Sequence, residues 1–288
     1  MTTAAGDSSI DPADPHQLDG LLRRHRIELK HGLGQNFLTD PALRDAVAES
    51  AGLAPEDDVL EVGAGVGTLT VALAPLCRRL VAVELDGRLI GALREAVAGH
   101  ENVEVVRSDI LRFNTRSAFP AGDEVVAGNI PYNLTGALIR KFLDDPPRPR
   151  RLSLVVQKEV AERWTASSGA SLATVAVQVF AHAKTILTIP AAAFTPPPRV
   201  DSALVRLDVR ERPAVDVDDL NAFFRFVEAV FQGRRKQLGG ILGRITATGS
   251  TDAGARLRTL GIDPERRPQT LDLAEWDTLY KEFRSPDR

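Results

Sequence analysis

Three glycines and two carboxylates, set at the ends of short apolar runs, form the most chemically suggestive pattern in this chain. Glu61-Val-Gly63-Ala-Gly65-Val-Gly67 follows the apolar run that begins at Val59. Glycines at alternate positions let the backbone turn sharply and bring a ligand against main-chain N–H groups. Position 68 is Thr68, so the Gly-x-Gly-x-x-Gly spacing that seats a pyrophosphate at a helix N-terminus is broken. The loop therefore suits a ligand without phosphates. Glu84 ends the next apolar run, 21 residues after Gly63, where a carboxylate can accept hydrogen bonds from both hydroxyls of a ribose. Asp109, in Ser108-Asp-Ile110 after a third run, is placed to reach an adenine edge. Any one of these features can be structural, since glycine-rich turns also serve to pack a helix on a sheet. Three of them at the ends of successive strands converge on one crevice, where open α/β sheets bind ligands.

This layout resembles that of the S-adenosylmethionine methyltransferases, and a fourth motif fits the same chemistry. Displacement of a methyl group from a sulfonium needs little acid–base help, so the acceptor sets the difficulty. An exocyclic adenine amine is a poor nucleophile because its lone pair is delocalised into the ring. Hydrogen-bond acceptors on that amine localise the lone pair as charge develops on nitrogen. Asn129-Ile130-Pro131-Tyr132 supplies such groups at the same sheet edge as the glycine loop. The Asn129 side-chain oxygen and the Ile130 carbonyl can both accept, Pro131 stiffens the turn and Tyr132 offers a stacking face. Phe194, heading Phe194-Thr-Pro-Pro-Pro-Arg-Val200, is placed to supply the second face for a base splayed out of a folded RNA. Stacking of this kind contributes roughly 1–3 kcal/mol per base. Standing alone, Asn129 caps a helix as readily as it binds a base, and Phe194 serves as readily to fill a core.

The elements that must hold these residues follow from periodicity. Val59–Val62, Leu80–Glu84, Val103–Val106, Glu124–Ala127 and Leu152–Val156 read as buried parallel strands. Segments 67–75, 86–98, 134–143 and 157–165 suit the helices between them. This alternation predicts an α/β fold with a Rossmann-like, doubly wound, mostly parallel sheet. The apolar run Leu172–Ala183 and the strand-like Ala203–Val209 flank the proline segment, which reads as a stiff loop. Beyond Pro213 no strand pattern remains. Asp218–Leu242 and Asp272–Phe283 read as helices, predicting a small α-helical C-terminal domain over 213–288 after a catalytic domain over 21–212. Residues 1–20, acidic and rich in Pro, Ser and Ala, are expected to form a disordered tail.

The chain's 288 residues, 43% hydrophobic and 26% charged, are ordinary for a globular protein with a sizeable core. No apolar run approaches the roughly 20 residues that span a bilayer. The first twenty residues carry Asp7, Asp11, Asp14 and Asp19 without a Lys or Arg, unlike a secretory signal. A single cysteine, Cys77, excludes an internal disulfide and a cysteine-based zinc cluster; no metal is expected. These features predict a cytoplasmic, monomeric enzyme. The net charge of -3 does not advertise a nucleic-acid binder, but its distribution is uneven. Basic residues cluster at Arg23–Arg26, at Arg148–Arg151, at Arg266–Arg267 and above all at Arg234, Arg235 and Lys236, where a phosphate-binding face is expected.

With these motifs in place, the chain resembles the ribosomal RNA adenine N6-dimethyltransferases, in particular the KsgA group. The resemblance rests on Leu33-Gly-Gln-Asn-Phe-Leu38, Glu61–Gly65, Val83-Glu-Leu-Asp86, Asn129-Ile-Pro-Tyr-Asn133 and Gln157-Lys-Glu-Val160. Phe194–Ser202 and Phe231-x-x-Arg-Arg-Lys236 complete it, and it runs from about Leu21 to the end. It implies an S-adenosylmethionine cofactor contacted by Asn36 and Leu38, with Gly63 and Gly65 under its amino-acid part. Glu84 would hold its ribose and Asp109 its adenine. Asn129 would serve both cofactor and target, with Tyr132 and Phe194 around the target base. The implied reaction is two methylations on each of two adjacent adenines near the 3′ end of small-subunit rRNA. The implied partner is an immature 30S particle. Ala166–Leu172 is shorter than the group's loop and lacks its Tyr-Gly pair. Gly128–Asn133 with Ile139-Arg-Lys141 also resembles the macrolide-resistance (Erm) enzymes, which modify large-subunit rRNA. Gly34 before Gln35, Val200-Asp-Ser202, a helix carrying Arg234-Arg-Lys236 and Leu260-Gly-Ile-Asp-Pro264 favour the small-subunit group. The glycine spacing argues against a nicotinamide oxidoreductase. The intact Gly63, Glu84, Asn129 and Tyr132 argue against a catalytically idle nucleic-acid binder.

Overall fold

The apolar runs of the first half become strands of one sheet in the computed structural model, which describes residues 10–29, 36–131, 134–144, 146–168 and 171–284. The elements are α1 (Pro15–Arg24), β1 (Phe37–Leu38), α2 (Pro41–Ser50), β2 (Asp58–Val62), α3 (Thr70–Leu73), β3 (Arg79–Glu84), α4 (Ile90–Ala96), β4 (Val103–Arg107), α5 (Thr115–Ala118), β5 (Val125–Asn129) and α6 (Thr135–Leu143). They continue with β6 (Arg151–Gln157), α7 (Lys158–Thr165), α8 (Leu172–Phe180), β7 (Ala181–Ile189), β8 (Phe194–Thr195), β9 (Ser202–Val209), α9 (Leu220–Gln232), α10 (Leu238–Ile245), α11 (Ser250–Thr259) and α12 (Leu273–Phe283). Two units result: residues up to Ala161 with Lys184–Val209, and Glu162–Ala183 with Arg210 onward.

In the first unit the strand order is β4-β3-β2-β5-β6-β9-β7. The strands β4, β3, β2, β5 and β6 run parallel, and β9 pairs antiparallel with β6 from Arg151↔Asp208 to Gln157↔Ser202. Val59, Leu60, Leu80, Val125, Val126 and Leu152 are fully buried because helices cover both faces, as a parallel sheet requires. The chain winds outward from β2 through β3 to β4, then returns to β5 on the other side. The carboxyl ends of β2 and β5 therefore form the switch point, in register Val59↔Val125 to Glu61↔Ala127. Gly128 serves this closeness, since a Cβ there would collide with the Val62 carbonyl oxygen.

The expected tail over 1–20 is corrected where it is described. Asp14 accepts from the N–H groups of His16 and Gln17 and Pro15 takes the first turn, so α1 starts inside that stretch. Leu18 and Leu21 are buried in a cluster with Ile27, Phe37, Val66, Leu89, Ala92 and Ala96. Asp11 holds the buried Arg44 through two hydrogen bonds, at 2.6 and 3.1 Å. The acids that suggest disorder are thus a helix cap and an ion-pair partner. The helix expected over 67–75 is shorter, because Pro75 lacks the N–H that an α-helical turn needs and the last turn tightens to a 3-10 turn. The proline segment is not wholly loop: Phe194 and Thr195 pair with Leu38 and Phe37.

The second unit takes in 162–183 as well as the C-terminal helices, unlike the expected division at 212/213. Its core is aromatic, which explains why α8 belongs to it: Phe180 stacks on Phe224 at 5.6 Å, and Phe223 meets Tyr280 edge-on at 5.5 Å. Phe231 packs on the buried Trp276 at 5.2 Å. A reciprocal Asp272–Glu275 capping box starts α12. The continuous helix expected over 218–242 breaks at Gly233, where a Cβ would lie 2.6 Å from the Ile241 side chain. Arg234, Arg235 and Lys236 consequently stand in the turn before α10 rather than on a helix. Among the described residues, no helix is long and apolar enough to cross a membrane.

Candidate active site

The glycine loop leaves β2 with left-handed backbone at Gly63 (φ 70°) and Gly65 (φ 63°), a conformation that other residues adopt only with strain. Gly63 and Ala64 both donate to the Val83 carbonyl, at 2.9 and 3.2 Å, and Gly67 donates to Ala64 at 2.9 Å. Gly65 donates to Glu84 Oε2 at 2.8 Å. The expectation that this loop aims its N–H groups at a ligand is therefore modified. Those donors are committed internally, and the loop offers a smooth surface, as a ligand without phosphates needs.

Glu84 is 8% exposed and each of its oxygens takes one backbone N–H, from Gly65 at 2.8 Å and from Asp86 at 2.7 Å. A carboxylate has about four lone-pair sites, so acceptor capacity remains for two hydroxyls. Burial pushes the Glu84 pKa up, opposed by those two backbone hydrogen bonds. Asp109 lies two residues past the end of β4, with Oδ1 accepting from Leu111 N–H at 2.9 Å. Beside these carboxylates two apolar side chains stay exposed, Leu85 at 63% and Leu111 at 38%. Together they provide what a nucleoside needs: buried acceptors for the sugar and greasy surface for the base. Sequence reasoning passed over both leucines, although an apolar residue next to a strand-end acid is a usable signal.

Asn129 closes β5, and its side-chain Nδ2 donates to the Asn36 carbonyl at 2.7 Å. That bond fixes which end of the amide is which and leaves Oδ1 as the acceptor. Ile130 donates its N–H to Val155 at 3.0 Å, and among the described residues no N–H donates to its carbonyl. The loop and this turn face each other: a Cβ placed on Gly63 would lie 3.8 Å from the Asn129 carbonyl oxygen and 3.8 Å from Pro131 Cδ. The segment Asn36–Leu38 lies across both. Asn36 accepts from Asn129, the Phe37 ring packs so closely on Gly65 that a Cβ there would be 2.8 Å from it, and Leu38 pairs with Phe194. Asn36, Leu38, Gly63, Gly65, Glu84, Asn129, Ile130 and Pro131 are thereby brought to one crevice.

Two expected residues stand differently. Phe194 is only 3% exposed and belongs to the core with Leu38, Ala64 and Ala193, so in this conformation it anchors β1 rather than presenting a face to a base. Tyr132 lies outside the described residues, as do Gly34 and Gln35 of the first motif. Arg234, Arg235 and Lys236 are exposed in the second unit. The other basic clusters are largely spoken for: Arg24 and His25 pair with Glu95 at 2.7 and 2.6 Å, Arg150 with Asp57 at 2.6 Å and Arg151 with Asp208 at 2.6 Å. Arg148 caps the carbonyls at the end of α6, and Arg266 pairs with Glu275. A cleft of about 480 Å³ lined by Asp11, Arg44, Asp45 and His100 shares no residue with the crevice, and its Arg44 is already paired with both aspartates.

One acid escaped the sequence reading. Glu61, 1% exposed beneath the loop, has its pKa pushed up to about 7 by burial and then by the charge of Glu84. Thr70 opposes the shift only in part, and among the described residues Glu61 Oε2 has no hydrogen-bond partner. The folded-state pKa lies above the unfolded value, so the native state is penalised increasingly as pH rises from about 4.5 through 7. Glu61→Gln should stabilise the free protein at pH 8 by up to about 3 kcal/mol and leave stability near pH 4 unchanged, as urea melts at both pH values will show.

Comparison with known proteins agrees with this geometry. The family model described as ribosomal RNA adenine dimethylase matches residues 26–284. The ribosomal RNA small subunit methyltransferase A of Shouchella clausii (strain KSM-K16) is 35% identical over 291 residues, covering 96% of this chain and 98% of its own. A crystal structure of the 23S rRNA methyltransferase ErmE superposes with a TM-score of 0.69 at 30% identity, covering 87% of this chain and 100% of that one. A dimethyladenosine transferase from Plasmodium falciparum superposes with a TM-score of 0.69 at 27% identity, covering 86% and 97% of the two chains. From the doubly wound sheet, the crevice at its switch point and these matches, the chain belongs to the ribosomal RNA adenine dimethylases, a family of S-adenosylmethionine-dependent enzymes.

Proposed function

We propose that this protein dimethylates N6 of two adjacent adenines near the 3′ end of small-subunit rRNA, acting as a cytoplasmic monomer on an immature 30S particle. The observation that carries the reading is the 2.7 Å bond from Asn129 to the Asn36 carbonyl, which presents an oriented amide oxygen beside the glycine loop. Bound S-adenosylmethionine supplies an electrophilic methyl group. Glu84 holds its ribose hydroxyls, Asp109 accepts from its adenine amine, and Leu85 and Leu111 cover the base. Asn36, Leu38, Gly63 and Gly65 line the rest of its site. Asn129 Oδ1 and the Ile130 carbonyl would accept from the target amine, localising its lone pair and orienting it toward the donor. Pro131 stiffens the turn, and Tyr132 stacks on the extruded base. No carboxylate competes for the released proton, which leaves to water.

Curated relatives of near-equal length are small-subunit enzymes, which favours that substrate. The ErmE superposition favours a second reading, methylation of large-subunit rRNA. Incubation with labelled S-adenosylmethionine and separated subunits decides between them. Label on immature small subunits, mapped to neighbouring adenines, is expected; label confined to free large-subunit rRNA would replace the reading with the second.

In the second unit Arg234, Arg235 and Lys236 are proposed phosphate contacts. Among the described residues they have no ion-pair partner, whereas most other basic clusters do. Reversing all three charges should weaken rRNA binding by more than about tenfold in 0.1 M salt and flatten its salt dependence by two to three phosphate contacts, roughly 0.9 in slope for each. Cofactor affinity measured calorimetrically should not change.

A further inference from the structure

The catalytic turn continues into α6, and Lys141 stands in the last turn of that helix. Its ammonium is partly buried and donates to the Phe113 carbonyl at 2.8 Å. Phe113 closes the turn that Asp109 opens. Arg112 and Phe113 both donate their N–H groups to the Asp109 carbonyl at 2.9 Å, and the Asp109 carboxylate accepts from Leu111 at 2.9 Å. Asp109 therefore shapes the front of this turn, and Lys141 grips its back. Burial draws the Lys141 pKa down while the charge of Asp109 holds it up. The ammonium also lies over the Phe142 ring, 5.9 Å from its centroid. Yet taking it partly out of water for a neutral carbonyl and a ring face, with no carboxylate in contact among the described residues, is unfavourable unless the geometry it fixes has a use.

We propose that Lys141 is a positioning residue for the cofactor: it sets the 109–113 turn so that Asp109 meets the exocyclic amine of the cofactor's adenine. It also ties that turn to the helix entered from Asn129, so the cofactor's base and the target base are held by one rigid connection. This inference rests on the assignment of Asp109 to the adenine edge.

The test compares S-adenosylhomocysteine with S-inosylhomocysteine, which carries an oxygen in place of the amine, by calorimetry on the full chain. The wild type should bind the adenosyl form more tightly. Lys141→Met should lose about tenfold in affinity for the adenosyl form, the worth of one charge-assisted hydrogen bond, and keep wild-type affinity for the inosyl form. Its KM for S-adenosylmethionine should rise while turnover at saturating donor stays within about twofold of wild type, as uniform binding loss requires. Lys141→Arg, which keeps the charge and guards against misfolding of the neutral variant, should recover most of the discrimination. A wild type that binds both forms equally would remove Asp109 from the adenine edge and take this inference with it. A discriminating wild type with Lys141→Met unchanged, weakened equally for both forms, or impaired in turnover alone would overturn the role of Lys141 only.

Discussion

Asn129→Ala is expected to lower the methyl-transfer rate by about 10²- to 10³-fold, the loss seen when one preorganised hydrogen-bonding group is removed from a developing charge. The size follows from the acceptor's chemistry. An adenine amine has little nucleophilic character until its lone pair is localised, and the two groups able to do that are the Asn129 amide and the Ile130 carbonyl. The carbonyl survives the substitution, so the loss is large but not total. The Asn36 carbonyl loses its donor as well, which should reduce stability by only about 1–3 kcal/mol because the strand ladder on either side is untouched. Single-turnover rates with labelled donor and small subunits, beside a thermal melt, will separate the two effects. A near-normal rate in a folded variant would mean that Asn129 does not activate the amine.

Glu84→Gln should weaken S-adenosylmethionine binding by about 100-fold while the protein remains folded. A glutamine keeps the shape but brings an NH₂ group toward one of the two backbone donors, Gly65 and Asp86, that now share the carboxylate. One side of the site therefore becomes a donor facing a donor, and a ribose hydroxyl loses a charged acceptor. Hydrogen bonds to a charged group contribute roughly 1.5–3 kcal/mol each, which corresponds to one or two orders of magnitude in affinity. Titration calorimetry of the variant gives the number directly. Turnover at saturating donor should suffer far less, because Glu84 does not touch the acceptor.

Much of this was legible in the residues themselves. Of the five expected strands, β2, β3, β5 and β6 are mostly apolar and buried on two faces, whereas β4, read as buried, is the edge of the sheet and has no buried residue; all five appear where expected within one or two residues. The convergence of Gly63, Glu84 and Asn129 followed from a topological rule rather than from contacts. What stayed hidden depended on partners far away in sequence. Asp11 and Asp14 look like tail residues until Arg44 and the start of α1 are seen. Phe194 looks like a stacking face until its pairing with Leu38 buries it. Residues 162–183 read as part of the catalytic domain because their apolar run gives no sign that Phe180 will stack on Phe224, 44 residues further on. The raised Glu61 pKa was likewise invisible, since burial and the nearby charge of Glu84 set it.

A co-crystal structure with S-adenosylhomocysteine and adenosine monophosphate examines most directly whether donor and acceptor share the crevice between the glycine loop and the Asn129 turn. The predicted result has ribose hydroxyls on Glu84 and the nucleotide's amine donating to Asn129 Oδ1 and the Ile130 carbonyl at about 3 Å. A donor seated away from Glu84, or an amine with neither acceptor in reach, would contradict it.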